Sequence, residues 1–412
     1  MNIDFNQFTL KNGLKVLVHE RTDTQLASLN ILYNVGARNE SPERTGFAHL
    51  FEHLMFEGSV NVPAYDKPLQ QVGGDNNAFT TNDITNYYLT LPAGNIETGF
   101  WLESDRMLSL AFTQERLEVQ RKVVVEEFRQ RYLNQPYGDV MHILRPLIYK
   151  KHPYRWPTVG IEPSHIENAT LKDVKDFFFS WYAPNNAILT VAGNVKTKEI
   201  EKLAQKWFGP IEKRNLIKIN IPEEPVQKEY RKLTVKKDVP YDALFMAFKM
   251  PGRLHPEFHS CDLLSDILGN SRSSRLWKKL AVKKPVFSDI SSYISGSNDT
   301  GFILIEGYLN SNVKITDAEN EVWKVIEELR TGKISARETG KVVNKAESTT
   351  LFHTMGVAQI SLTLAIYESL GDASLINKEH LNYRAVTEDK IVTAANKYLT
   401  RKNACVLHYL KK

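Results

Sequence analysis

Residues 45–59 read Thr45-Gly46-Phe47-Ala48-His49-Leu50-Phe51-Glu52-His53-Leu54-Met55-Phe56-Glu57-Gly58-Ser59. Two imidazoles four residues apart, with a carboxylate between them, are side chains that bind a metal and move a proton. Thr45 can cap a helix here and Gly58 can end it. On a helical wheel at about 100° per residue, His53 falls about 40° to one side of His49 and Glu52 about 60° to the other. Phe47, Leu50, Phe51, Leu54 and Met55 fall between about 100° and about 240° from His49. One face is therefore core, and the opposite face presents both histidines with the glutamate beside them. Histidines at i and i+4 can hold one zinc ion, and the carboxylate can take a proton from water activated there. The order H-x-x-E-H inverts the commoner H-E-x-x-H. The competing reading is a wet helix face that happens to carry these three residues.

A catalytic zinc needs a third protein ligand and an open position. The segment Gln120-Arg121-Lys122-Val123-Val124-Val125-Glu126-Glu127-Phe128-Arg129 is the best source. On the same wheel, Val124, Leu117 and Phe128 all fall within about 100° of Glu127 on one side, while Glu126 falls about 100° to the other. Glu127 borders the apolar stripe and Glu126 faces solvent. A carboxylate at the edge of a core needs a partner, and either a metal or a cation such as Arg131 would serve. A third segment, residues 73–89, suits a strand pair joined by a polar turn at Asn82-Asp83.

The elements that must position these groups come from a chain of 412 residues, which predicts two or three domains. Hydrophobic residues make up 42% and charged residues 25%, so disorder is excluded as the main state. A net charge of +5 is too dilute for a nucleic-acid surface, and no apolar run is long enough to span a membrane. Cys261 and Cys405 read as buried free thiols, with one disulfide as the alternative. No signal peptide is visible at residues 1–20, so the expected compartment is the cytoplasm, or the periplasm if a leader has been removed.

Residues 8–18 form a strand pattern broken by the hairpin signal Asn12-Gly13. Further strands are expected at Ala27–Val35, Ala187–Ala192, Tyr230–Val235 and Ala243–Met250. Helices are expected at Gly46–Phe56, Glu97–Ala111, Glu115–Leu133, Thr197–Trp207 and from Phe258. Residues 209–227 hold Pro210, Pro222 and Pro225 without a clean period and read as a linker. Trp181-Tyr182-Ala183-Pro184-Asn185-Asn186-Ala187 and Lys397-Tyr398-Leu399-Thr400-Arg401-Lys402-Asn403-Ala404 both lead into strands. The separation of Ala187 from Ala404 nearly equals that of the turn glycines Gly36 and Gly252. Two local matches at almost one offset argue for two homologous halves. The expectation is an α+β fold of two halves, each a mostly antiparallel sheet with helices packed on one side. The halves are a catalytic one at 1–212 and a non-metal one at 230–412, joined by a linker at 213–229.

The set Gly46…His49-Leu50-Phe51-Glu52-His53…Gly58-Ser59, Asn77-Ala78-Phe79-Thr80…Thr85-Asn86-Tyr87-Tyr88, Val124-Val125-Glu126-Glu127 and Trp181–Ala187 resembles the pitrilysin and insulin-degrading-enzyme family of inverse zincins. In length the chain is similar to the mitochondrial processing peptidase subfamily, whose subunits have two related halves. The resemblance runs from about residue 8 to the C-terminus and is specific in the first half. It implies a zinc endopeptidase, with a non-catalytic scaffold subunit as the alternative. His49, His53 and Glu127 would be the zinc ligands, and Glu52 the general base. Asn77, Ala78 and Phe79 would lie on the edge strand that receives a polypeptide as an added strand.

The sequence departs from the family pattern in two respects. Gln120 stands where the family usually has a glutamate, seven residues before the third ligand. In the second half the family places an Arg and, seven residues on, a Tyr that reach the active site. The register set by Ser274–Leu280 puts Ala281 and Ser288 at those places. The second half also lacks H-x-x-E-H; its equivalent segment, His259–Leu268, predicts no metal site. The expected partners are therefore a peptide substrate and a related subunit supplying the Arg and Tyr in a heterodimer. A homodimer using Lys283 or Lys284 is the second choice.

Overall fold

The structure, a computed structural model, describes residues 2–412. The chain divides into two units: residues up to 130 with 156–221 and 351–378, and residues 131–155 with 222–350 and 379–412.

In the first unit, β1 (Asn6–Thr9) and β2 (Lys15–Glu20) pair antiparallel. The Asn12-Gly13 turn joins them, and Gly13 takes the left-handed φ of +91° that glycine adopts freely. With β3 (Leu26–Tyr33), β4 (Asp75–Thr80), β5 (Thr85–Pro92) and β6 (Ala187–Gly193) they form a sheet in the order β1-β2-β6-β3-β5-β4. Only β2 and β6 run parallel. The strand pair at residues 73–89 is β4 and β5, and β4 is an edge strand.

Helices α1 (Phe47–Leu54), α2 (Ile96–Leu108), α3 (Gln114–Phe128), α4 (Leu171–Trp181) and α5 (Thr197–Trp207) bury apolar faces with one side of this sheet. Leu50, Phe51, Phe100, Val124, Phe178 and Ile200 share one core with Leu29, Ile31, Tyr87, Leu89 and Leu189. All seven residues of β6 are buried, so the opposite face also needs cover. The helix Val357–Ser369 supplies it, packing Ile360 and Leu364 with Leu17, Leu32 and Ile188.

The second unit repeats the plan. Strands β7 (Arg231–Lys237), β8 (Ala243–Met250), β9 (Phe287–Ser295), β10 (Gly301–Leu309) and β11 (Ala404–Lys411) lie in the order β7-β11-β8-β10-β9. Here β11 is parallel to β7 and antiparallel to β8, as β6 is to β2 and β3. α6 (Phe258–Leu268), α7 (Ile315–Thr331) and the helix Glu388–Tyr398 share a core with one face. The helix Val140–Ile148 covers the other, with Val140, Leu144 and Ile148 against Phe245, Leu304 and Leu407.

The halves are thus not two cuts of the sequence at 212 and 230. Residues 131–155 belong to the second unit and 351–378 to the first. The physical reason is that the central strands of each sheet are buried on both faces. An amphipathic period tells that a helix must cover a sheet, not which sheet. Cys261 and Cys405 are buried free thiols, and burial pushes the Cys261 thiol up to about 12. Among the described residues, no single helix is long and apolar enough to cross a membrane.

Candidate metal centre

α1 buries Phe47, Leu50, Phe51 and Leu54, and leaves His49, Glu52 and His53 half-buried on its other side. Phe51 is the anchor: its ring stacks on Phe177 at 4.9 Å and lies 5.3 Å from Tyr182. Gly46 begins the helix at φ +90°, and a Cβ there would stand 2.7 Å from the Val159 carbonyl oxygen. Thr45 is not the cap that its residue type suggests. Its hydroxyl is engaged by the Ile161 N–H and the His165 ring, both at 2.8 Å. Gly58, at φ +100°, closes the turn after the helix.

α3 runs beside α1 and delivers Glu127. Its Oε2 lies 3.7 Å from His49 Nε2 and 3.4 Å from His53 Nε2, and the two imidazole rings are 4.9 Å apart, nearly perpendicular. One ligand atom from each of the three residues falls within 4.8 Å of the others, the only such group of three among the described residues. The donor set fits zinc. Bonds of about 2.0–2.2 Å in tetrahedral array separate donors by roughly 3.3–3.6 Å, which is close to the spacing Glu127 already shows to both histidines. Two neutral imidazoles and one carboxylate leave the fourth position for water or substrate. Glu126, by contrast, points outward and is exposed.

Glu52 sits one residue before His53. Burial pushes its carboxyl up, and hydrogen bonds from the Thr80 hydroxyl and N–H, together with His53, pull it back in part. Thr80 also contacts the Ala48 carbonyl, so the end of β4 is fastened to α1. Asn77, Ala78 and Phe79 lie on β4, paired with Tyr88, Tyr87 and Asn86 of β5 on one side only. The other edge of β4 pairs with no strand, so an extended chain can join it.

Gln120 lies two turns before Glu127 on α3 and donates its amide to Glu57, which follows α1. A carboxylate is therefore present at that junction, on the opposite partner. In the second unit, Ala281 lies in the helical turn Trp277–Lys283, and the Ser288 hydroxyl donates to the Tyr308 carbonyl at 3.1 Å. Arg275 is held by Glu338 (2.9 Å), Tyr293 by Glu306 (2.9 Å) and Lys284 by Glu321 (3.0 Å). On α6, His259 pairs with Glu379 at 3.2 Å, and Asp262 accepts from Tyr383.

Two residues of the site escape sequence reasoning. Thr80 reads only as one more residue of its strand, and its bond to Glu52 follows from the packing of β4 on α1. Glu40 precedes the helix by six residues, outside any capping spacing, yet its carboxylate reaches the helix start.

Residues 15–155 match the family described as Insulinase (Peptidase family M16), and residues 168–345 match Peptidase M16 inactive domain. The Helicobacter pylori protein named zinc protease PqqE is 31% identical over 398 residues, which cover 95% of this chain and 89% of that protein. The Bacillus subtilis protein named uncharacterized zinc protease YmxG is 25% identical over 335 residues, covering 81% of this chain and 80% of that one. Among solved structures, a protease from Helicobacter pylori superposes over the whole of both chains with a TM-score of 0.93 at 29% identity. Pitrilysin shares the fold, with a TM-score of 0.78 at 16% identity, over all of this chain and 45% of that one.

Proposed function

This chain belongs to peptidase family M16, and from that premise we propose that it is a zinc-dependent endopeptidase of extended or unfolded polypeptides. The observation that carries the reading is the convergence of His49, His53 and Glu127, with Glu52 one position away on the same helix face. Zinc held by those three residues supplies a Lewis acid that acidifies water and polarises a peptide carbonyl. Glu52 takes the proton from the attacking water and returns it to the leaving amine, the two roles one carboxylate can fill in sequence. Thr80 holds Glu52 in place through its hydroxyl and N–H. Asn77, Ala78 and Phe79 bind the substrate main chain along the edge of β4, so that any extended segment fits and compact proteins do not.

The transition state also needs donors for the developing oxyanion. In the second unit, Ala281 carries no donor, and Ser288, Arg275, Tyr293 and Lys284 are each already engaged within that unit, which leaves exposed Lys283 as the donor a homodimer would have to use. We therefore propose that the active species is a heteromer in which a related subunit supplies an Arg and a Tyr. Gln120 favours a second reading, a non-catalytic subunit that presents peptides. One experiment separates these readings. The purified chain, loaded with zinc, is assayed on an unfolded quenched-fluorescent peptide, alone and with a related subunit. Activity only in the mixture, abolished by a chelator and by Glu52→Gln in this chain, supports the heteromer. A kcat/KM at or above about 10⁴ M⁻¹s⁻¹ for this chain alone removes the need for a partner. Mixture activity indifferent to Glu52→Gln favours the presenting subunit.

A further inference from the structure

We propose that Glu40 is a positioning residue for the metal site: its buried carboxylate caps α1 in place of the side chain that Gly46 lacks, and so fixes His49 against Glu127 and β4. The proposal rests on the reading that His49, His53 and Glu127 hold zinc.

The first turn of any helix leaves main-chain N–H groups without helical partners, and a residue at the N-cap ordinarily takes one of them. Gly46 occupies that position with no side chain, and Thr45 is engaged elsewhere. Glu40 supplies the missing acceptors. Its Oε2 takes the Gly46 N–H at 2.9 Å and its Oε1 takes the Ala48 N–H at 2.8 Å. The Phe47 N–H is directed at the same carboxylate. Glu40 is 8% exposed and, among the described residues, makes no ion pair. Burial pushes this carboxyl up to about 8 and the main-chain donors pull it back only in part, so a group served by those donors alone is committed to that helix end by geometry rather than by charge.

The helix end is the part of α1 that matters for metal. His49 lies in the first turn, whereas His53 and Glu52 lie in the second. Fraying of the first turn therefore moves one ligand and leaves the other in place. The loop that carries Glu40 is itself tied to the end of the peptide-binding edge. Ala37 N–H donates to the Thr81 carbonyl (3.1 Å), Arg38 N–H to the Asn82 carbonyl (2.9 Å), and the Arg38 guanidinium pairs with Asp83 (3.0 Å). Trp156 Nε1 holds the same loop through the Ala37 carbonyl at 2.8 Å. α1 is thus fastened to the β4–β5 hairpin twice, through Glu40 and its loop and through Thr80, whose hydroxyl reaches the Ala48 carbonyl at 3.4 Å and which faces Glu52. That double attachment sets the ligands and the base in register with the strand that would hold substrate.

The test compares Glu40→Ala and Glu40→Gln with Thr170→Ala in the full chain. Thr170 caps α4 in the same unit, accepting from the Asp173 N–H, and touches no part of the metal site. Zinc affinity is read by competition with a chromophoric chelator, and folding by circular dichroism and Tm. Removing a group that orients a ligand typically costs 10–100-fold in metal affinity. Glu40→Ala is expected to weaken zinc by that factor with its circular dichroism retained. Glu40→Gln, which keeps one acceptor oxygen and the shape, is expected to fall between it and the native chain. Thr170→Ala is expected to lower Tm and leave zinc affinity within about twofold. If Glu40→Ala fails to fold, Glu40→Gln alone decides, since it preserves the packing. Native affinity in the folded Glu40 variants overturns the proposal, as does equal weakening in Thr170→Ala. A native chain that binds no zinc overturns the underlying reading of the site and this proposal with it.

Discussion

Glu52→Gln removes the proposed base while changing almost nothing else. The carboxamide has the volume of the carboxylate, and its oxygen can still accept from Thr80, so α1 stays fastened to β4. The charge that disappears is one that Glu127 repels, so its loss does not weaken the neighbouring ligand set. Zinc content is expected to stay at the native value. Loss of a general base costs about 10²–10⁴ in rate. Glu52 is asked to serve twice, on the water and on the leaving amine, so the upper end applies. A factor of about 10⁴ is roughly 5.5 kcal/mol on the barrier. Glu52→Asp keeps the charge but draws it back by about one C–C bond, ~1.5 Å. Misplacement on that scale costs on the order of 10²-fold. The expected order is native, then Asp, then Gln, measured as kcat/KM on an unfolded quenched peptide with the related subunit present and zinc assayed on the same samples. A Gln variant within tenfold of native activity, or one that has lost its zinc, refutes the reasoning.

Phe51→Ala leaves a void among Phe177, Phe178 and Tyr182 and should cost about 3–5 kcal/mol by denaturant titration. A loss under about 1 kcal/mol would mean that α1 is not anchored there. In the second unit, burial alone would raise the Glu319 carboxyl, but hydrogen bonds from His408 (2.8 Å), Tyr230 (2.7 Å) and Trp323 (3.1 Å), with Lys232 beside it, hold it at about 2. A depressed carboxylate stabilises above its unfolded pKa, near 4.3, and that contribution fades as pH falls toward 2. The shift is worth roughly 3 kcal/mol, so the stability gap between native chain and Glu319→Gln should shrink from pH 7 to pH 3. A gap that does not change with pH contradicts the assignment.

What was legible in the sequence was whatever depends on near neighbours along the chain. The separation of α1 into an apolar face and a His-Glu-His face follows from the helical period alone, as does the outward placement of Glu126 beside the inward Glu127. The Asn12-Gly13 hairpin and the paired strands of residues 73–89 are local for the same reason. The repeat was visible in Ala187 and Ala404, and it corresponds to the matched places of β6 and β11. What depends on distant packing was not legible. The edge position of β4 is set by sheet order, which no strand carries in its own residues. Thr45 has the residue type of a cap, but the 159–166 segment claims it, and Glu40 takes the helix end instead. The helix Val140–Ile148 is strongly amphipathic and Val357–Ser369 is apolar nearly all round, and neither pattern names the sheet it covers.

Everything proposed for this chain depends on one catalytic zinc held by His49, His53 and Glu127 together. That assignment is tested most directly by metal analysis of the chain purified without chelator, beside His53→Ala and Glu127→Ala. About one zinc per native chain is expected, and little in either variant at matched folding, because two donors bind far more weakly than three. Full zinc retained in both variants would contradict it, since the metal would then lie on other residues.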